Sequence, residues 1–596
     1  MEPKERLITF LFPQKNLCNE KEMYFRDELD NCVIGENSLS IPAYGQTSFD
    51  TYFNSFDYGV FRRATNIENV SFTLKLQGDL RVVISHCYVE NDGKTKSTEK
   101  YLLHQTLFQS KEPTEISIDV SIANLPENGI LYVELYSQKG GKFYGGHIDT
   151  TVPPINKKAK IGIVIPTFQR ETFIKKNVQT LVKELPKDSF GIFVIDNGQT
   201  LCQDDVQGAT LIPNKNLGGA GGFTRGIMEL LKRNREYTHA LLTDDDIRFH
   251  PEIFLRTLAL VRYATNPKKI IIGSSMLLLN KPYLQHEMGS VWTGYHIHEN
   301  HHQKDVRKLD TVLNNTIPQK ADYCAWWFSC FSLSLPKKHG LPFPFFIKID
   351  DVEYGMRLGC EFVFANGIGV WHESFDYKFS ASLEYYTKRN ELILNALHRP
   401  DLGILFHFYY LARCVTKQIV FQRYKTLDLV FKAFDDFLKG ADAFMNTDAL
   451  ALNESLSERG EKMLSPAELK AQGFDLSRPF YQPQRKKSLL HRIIVSLTLN
   501  GYLLPAKRED YRITNLLYVS PNRFFRARTV VQYNPLTKMG FVTKQSRLVL
   551  IKTGFRLIGY FFKTLFKFRK AARSFRERFG DIVSEQAWKE RLEIKE

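Results

Sequence analysis

Cysteine is sparse and scattered, eight residues in 596, and no CxxC pair occurs. Such spacing excludes zinc ribbons and a dense disulfide framework, and it points to a reducing compartment. No window offers about 18 uninterrupted apolar residues, so no segment is expected to span a bilayer. The start, MEPKERLITFLFPQ, holds a short apolar stretch broken by Pro13, which makes a poor secretory signal. No internal repeat is visible. What is present is a globular balance of 43% hydrophobic, 24% charged and 13% aromatic residues, in a chain long enough for three or so domains. The formal charge of +16 suggests a polyanionic partner: nucleic acid, anionic membrane or a phosphorylated substrate.

Residues 1–155 read as β structure. Val70–Leu76, Leu80–Ser85, Glu115–Val120 and Ile130–Leu135 are short and rich in Val, Ile and Tyr. Gln77-Gly78-Asp79, Asn91-Asp92-Gly93 and Glu127-Asn128-Gly129 read as turns between them, which indicates a sandwich or barrel. Thr150–Pro154 reads as a linker. From Lys160 the pattern becomes apolar strands alternating with helices: KIGIVIP, a helix over Glu171–Leu185, GIFVID, a helix over Gly226–Arg233, HALLT and KIIIGSSML. That alternation implies a largely parallel sheet covered by helices, with ligands beyond the carboxyl ends of the strands. Beyond about residue 395 the pattern is helical, and residues 440–485 are more polar.

Asp244-Asp245-Asp246 closes a buried strand. Three carboxylates there repel one another unless a cation or hydrogen-bond donors compensate, and oxygen ligands suit Mg²⁺ or Mn²⁺ together with substrate phosphates. A solvated acidic loop capping the next helix is the alternative. Asp350 and Asp351 follow a run of aromatics, where one carboxyl with a raised pKa would suit proton abstraction from a hydroxyl; helix capping would explain them as well. His372, in WHES, is either a metal ligand or a packed residue beside Trp371. The glycine-dense NLGGAGGF before a helix either brings backbone amides to a phosphate or sugar or makes a tight packing turn. It has no GK[ST] and no spaced dinucleotide fingerprint. Trp326 and Trp327 offer flat faces for a sugar, or core packing.

In order, IPTFQR, DNGQ, NLGGAGGF, DDD, WW, DDVEYG and WHES resemble the galactofuranosyltransferases of glycosyltransferase family 2, most closely the mycobacterial enzymes that polymerise cell-wall galactan. The likeness runs from TSFDTYFNSF (Thr47–Phe56) to about Glu391. It implies a multidomain α/β chain: a β-sandwich over 1–155, with glycan binding as its expected use, a GT-A catalytic domain over 156–395 and a helical region over 396–596. By matching motifs, Arg170, Asp196, Gln199 and Asn216 would bind the UDP part of the donor, with Asp245 beside it. Asp244, Asp246 and His372 would hold Mn²⁺ or Mg²⁺. Asp351 would be the general base and Asp350 would orient hydroxyls. Trp326, Trp327 and, more weakly, Glu287 would shape the sugar and acceptor pocket. The reaction implied is a single inverting displacement from UDP-galactofuranose to a hydroxyl of a lipid-linked cell-surface glycan. Alternatives are another donor, UDP-galactopyranose or dTDP-rhamnose, or an inactive glycan-binding protein. Thr387 stands where the mycobacterial members have a histidine nearby, and the last third has no detailed match.

Ile551–Gly580 carries nine basic residues against Glu577 alone. Phe555, Ile558, Phe562, Leu565, Phe568, Ala572, Phe575 and Phe579 recur every three or four positions, the pattern of an interfacial helix. A terminal helix docked on its own core is the alternative. The expectation is a cytoplasmic protein lying on the anionic inner face of the cell membrane. No nucleic-acid-binding module is evident, and self-association into a homo-oligomer is left open.

Overall fold

Apolar runs with a period of two, cut by turn formers, build an N-terminal β layer, but the strands are much longer than the turn signals implied. In the computed structural model, which describes residues 4–91, 96–375, 379–482, 489–508, 510–517 and 519–594, Val70–Leu76 and Leu80–Ser85 belong to one strand, Asn69–Asn91. Gln77-Gly78-Asp79 is a bulge inside it rather than a turn: the register slips between Leu76 and Gly78, and Gly78 takes φ +101°. This strand lies between Lys96–Ser121 and Ile130–Thr150, and the layer is one continuous seven-stranded sheet. The Asn91-Asp92-Gly93 turn falls on residues 92–95, outside the described ones.

The chain divides into two compact units. The first holds Met1–Pro342, Tyr354–Glu373 and Lys589–Glu596; the second holds Phe343–Glu353 and Ser374–Trp588.

In the first unit a seven-stranded mixed sheet runs Thr210–Pro213, Phe190–Asp196, Ile161–Thr167, His239–Leu242, Ser329–Ser332, Ile270–Gly273, Glu361–Val363. The first four strands are parallel, and Ser329–Ser332 is antiparallel to both its neighbours. KIIIGSSML is not one strand: it breaks at Ser274, and Ser275–Leu278 joins a second sheet with Arg248–Phe249, Gly369–His372, Lys281–Glu287 and Lys304–Asp305. The helix expected over Gly226–Arg233 starts earlier and spans Gly218–Lys232, taking in the glycine-dense segment. A methyl at Gly226 would meet the Val164 side chain at 2.1 Å and one at Gly162 would meet Leu230 at 2.1 Å, so these glycines let helix and strand close on each other.

TSFDTYFNSF is an internal prop of this unit. The Phe53 ring lies 5.1 Å from His250 and 5.7 Å from Trp371, and Tyr24 Oη pairs with His250 Nε2 at 2.7 Å. The strand that ends in His372 is thus held from behind by aromatic packing.

In the second unit, helices Ala381–His398, Ile404–Val420, Tyr424–Leu438 and Arg547–Glu577 pack together. A small sheet, Arg512–Asn515, Thr529–Asn534 and Met539–Lys544, lies within the expected helical region. The long basic helix divides lengthwise. Phe568, Ala572 and Phe575 are buried, whereas Phe555, Ile558, Phe562 and Leu565 are exposed, with Phe566 at 75%. Two of its cations are already paired, Arg556 with Asp428 and Lys563 with Asp435 at 2.7 Å. Among the described residues no helix is long and apolar enough to cross a membrane. The eight cysteines are free thiols.

Candidate active site

Parallel pairing places the chain's polar turns on one rim, because Thr167 lies opposite Asp196 and Leu242 lies beside Val164. Asp244, Asp245 and Asp246 leave that rim one residue, Thr243, after the strand His239–Leu242. Asn177 Nδ2 donates to the carbonyls of Asp245 at 2.9 Å and Ile247 at 3.1 Å, fixing the turn.

The repulsion expected among these carboxylates is answered by Arg170. Its Nη1 lies 3.1 Å from Asp245 Oδ1 and also pairs with Asp246 Oδ2. Thr167 Oγ1 donates to the second Asp245 oxygen at 2.7 Å. Burial pushes the Asp245 carboxyl up, against the pull of Thr167 and Arg170. Burial alone would lower Arg170, but the charges of Asp246 and Asp245 outweigh it and hold the guanidinium above its ordinary value. Asp245 therefore serves to steady Arg170.

One ligand atom each from Asp244, Asp246 and His372 lie within 4.8 Å of one another. His372 Nε2 is 3.5 Å from Asp246 Oδ1. Its Nδ1 is 2.7 Å from the Glu373 carbonyl, which can only accept, so Nδ1 carries a proton and Nε2 faces the carboxylates. A backbone partner on the far nitrogen is the usual support of a metal-bound histidine. Two carboxylate oxygens and one imidazole fit Mn²⁺ or Mg²⁺ by donor chemistry.

The remaining residues of the first unit divide. Asp196 is buried, and its carboxylate accepts from the N–H groups of Gly198 at 3.0 Å and Leu201 at 2.9 Å, stapling its own loop. Gln199, at φ +52°, donates to the Asn214 carbonyl at 3.1 Å. Asn216 Oδ1 accepts from Gly218 N–H at 3.1 Å, at the start of the glycine-rich helix. Trp326 and Trp327 are buried; Trp326 meets Phe223 edge to face at 5.1 Å, and Trp327 lies 6.1 Å from His372. The Trp327 carbonyl accepts from Thr243 Oγ1 at 2.8 Å, next to Asp244. Glu287, buried in the second sheet, accepts from Ser290 Oγ at 3.0 Å.

Asp350 and Asp351 belong to the second unit, in the first turn of the helix Asp350–Leu358. Burial raises both carboxyls, and the Asp351 charge raises Asp350 further. The loop before them is strained: Phe346, Lys348 and Ile349 sit at φ +71°, +69° and +71°, where a β-branched residue such as Ile349 is an outlier. Asn390, fully buried, clasps that loop through Nδ2 to the carbonyls of Ile347 at 3.0 Å and Lys348 at 2.9 Å. Arg389 reaches the Phe345 carbonyl at 3.3 Å, and the Phe346 ring stacks on Tyr386 at 5.5 Å. Asn390 is not distinguished in the sequence, because neither its type nor its spacing sets it apart from a surface amide. Thr167 and Asn177 are not distinguished for the same reason.

Residues 7–145 match the family model described as Galactofuranosyltransferase 2 N-terminal. The chain is 27% identical to galactofuranosyltransferase GlfT2 of Mycobacterium tuberculosis over 497 residues, 78% of this chain and 76% of the relative. It is 27% identical to GlfT2 of Mycolicibacterium smegmatis over 441 residues, 68% of this chain and 66% of the relative. Among solved structures, the mannosyltransferase PcManGT from Pyrobaculum calidifontis, in complex with GDP-Man and Mn²⁺, overlaps 51% of this chain and 81% of its own at 12% identity and a TM-score of 0.28. Staphylococcus aureus TarS 1-349 in complex with UDP overlaps 44% and 71%, at 12% identity and a TM-score of 0.28. The chain is a glycosyltransferase, homologous to the GlfT2 galactofuranosyltransferases along about three-quarters of its length, and its residues 7–145 are similar to their N-terminal domain.

Proposed function

We propose that this glycosyltransferase transfers galactofuranose from UDP-galactofuranose to a hydroxyl of a cell-surface glycan, by a metal-assisted, inverting displacement. One observation carries the reading. In a homologue of galactofuranosyltransferases, Asp244, Asp246 and His372 gather their ligand atoms at the carboxyl rim of the central sheet, with Arg170 beside them.

Asp244, Asp246 and His372 would hold a divalent cation, which supplies charge neutralisation to a departing diphosphate when bound. Arg170 adds a fixed positive charge next to that position, kept in place by Asp245. Asp196, Gln199 and Asn216 shape the loops that receive the uridine diphosphate, and the amides at the start of the Gly218–Lys232 helix offer further donors. Asp351 takes the proton of the attacking acceptor hydroxyl, for which burial has raised its basicity toward the working range. Asp350, whose carboxyl is pushed up by burial and then by the Asp351 charge, donates to or orients sugar hydroxyls. Trp326 and Trp327 wall the sugar pocket, and Glu287 faces the acceptor. The division into a glycan-gripping β region over 1–155, a catalytic region over 156–395 and a helical region over 396–596 belongs to this proposal. So does peripheral docking on an anionic membrane, through the exposed half of the Arg547–Glu577 helix, toward a lipid-linked acceptor.

The test is incubation of the full chain with UDP-galactofuranose, Mn²⁺ and a panel of lipid-linked and soluble acceptors, with UDP-galactopyranose and dTDP-rhamnose as competing donors. Transfer from UDP-galactofuranose that is lost in Asp351→Ala, with donor binding retained, supports the reading. Preferential transfer from another donor would replace the substrate and leave the chemistry standing.

A further inference from the structure

A second cluster of ligand-type side chains lies in the first unit, on the strand and hairpin around Glu287. Along Lys281–Glu287 side chains alternate, with Gln285 and Glu287 buried and His286 half-exposed on the opposite face. The chain then forms a hairpin, Ser290–Trp292 against Ile297–Glu299. It returns alongside its own root, where Met288 N–H donates to the Asn300 carbonyl at 3.0 Å and Asn300 N–H to Gly289 at 2.9 Å. His301 and Gln303 take left-handed conformations, φ +52° and +56°, on either side of His302. The outcome is that His286, Glu299 and His302 bring one ligand atom each within 4.8 Å of one another.

A separate observation concerns the proton on His302. Its Nδ1 is 2.9 Å from the His286 carbonyl, so Nδ1–H donates there and Nε2 retains its lone pair. His372 shows the same commitment of Nδ1 to a backbone carbonyl. The two rings of the cluster meet edge to face, centroids 5.0 Å apart at 73°. His302 is exposed, which leaves a route in from solvent.

We propose that His286, Glu299 and His302 form a zinc site distinct from the Asp244, Asp246 and His372 set. Two imidazole nitrogens and one carboxylate oxygen are a borderline donor set that favours Zn²⁺ over Mg²⁺, and a water can complete four-coordination from the exposed side. The ion ties the Lys281–Glu287 strand to the hairpin that follows it. Ser290, which hydrogen-bonds Glu287, begins that hairpin. The site is structural, and it stands whether or not the proposed donor is correct.

The experiment is titration of metal-free, full-length protein with zinc against a chromophoric chelator, with circular dichroism to verify folding. Loss of about one bound zinc per chain, or weakening of that zinc by roughly 10- to 100-fold, is expected in His302→Ala and in Glu299→Gln. Asp244→Asn should keep this zinc, which separates failure here from failure of the rim site. If His302→Ala does not fold, Glu299→Gln, which is close to isosteric, decides. Unchanged zinc stoichiometry and affinity in the folded variants would overturn the proposal. So would anomalous diffraction from zinc-soaked crystals showing an ion only at Asp246.

Discussion

Asn390 donates its side-chain amide to the Lys348 carbonyl at 2.9 Å, across 42 residues of sequence and inside a fully buried position. The same nitrogen reaches the Ile347 carbonyl, so one amide holds a loop with three non-glycine residues at positive φ. Removing it breaks both bonds, at a cost of about 0.5–1.5 kcal/mol each, and frees the loop that carries Asp350 and Asp351. Asn390→Ala is expected to lower kcat about 10- to 100-fold, the usual cost of misplacing a reacting group, while the KM for donor changes little. Steady-state kinetics with a thermal melt checks this; an unchanged kcat in a folded variant contradicts the positioning role.

Asp350 and Asp351 set a pH dependence of known sign. Burial raises both carboxyls above their unfolded values, so the folded chain binds protons that the unfolded chain has released. Their stabilising contribution is present at acid pH, below the unfolded values, and is lost as pH rises through the raised ones. Asp350→Asn should therefore raise Tm at pH 8 relative to the parent and have little effect at pH 4. In the kcat–pH profile its acid limb should stay near that of the parent, since burial rather than a charge on Asp350 raises Asp351. A limb that shifts with Asp350→Asn would assign the base role to Asp350 instead.

Arg170 is the fixed cation of the rim, touching both Asp245 and Asp246. Arg170→Ala should weaken nucleotide-sugar turnover by about 10²-fold, on the scale of losing one preorganised electrostatic donor. Arg170→Lys should recover part of it, since one nitrogen, Nη1, makes both contacts and an ammonium likewise offers several donors from a single nitrogen. Calorimetry with UDP, run beside kinetics, would show whether the loss lies in binding.

Chelation and ligand removal are expected to agree. EDTA should abolish transfer and Mn²⁺ restore it, whereas Asp246→Asn and His372→Ala should fall by about 10³-fold or more without rescue at ordinary metal concentration. Activity that survives chelation would contradict the metal-assisted reading.

Membrane docking is best tested by substitution, because Phe568, Ala572 and Phe575 of the basic helix are part of the core and deletion would expose it. Phe555→Ser with Phe562→Ser and Phe566→Ser removes only exposed side chains. The triple variant should melt with the parent yet lose most of its sedimentation with anionic vesicles, since each buried apolar side chain contributes about 1.5–3 kcal/mol. Equal sedimentation would assign the exposed face to something other than lipid.

Much of this protein was decided locally. Two-residue and 3.6-residue periodicities determined where strands alternate with helices, and strand ends determined that Asp196 and Asp244–Asp246 would share a rim. The apolar spacing of 551–580 likewise determined a helix. Tertiary contacts decided the rest: that KIIIGSSML breaks into two sheets, that Gln77-Gly78-Asp79 is a bulge, that half of the basic helix is core, and that small strands lie among the C-terminal helices. They also decided that Arg170 neutralises Asp246, that Glu373 fixes the His372 tautomer and that Asn390 clasps the Asp350 loop. The reason is range. Periodicity and turn chemistry act over a few residues and can be read in order, whereas an ion pair or a buried amide clasp exists only once folding has brought distant side chains out of water and within 3 Å or so of each other.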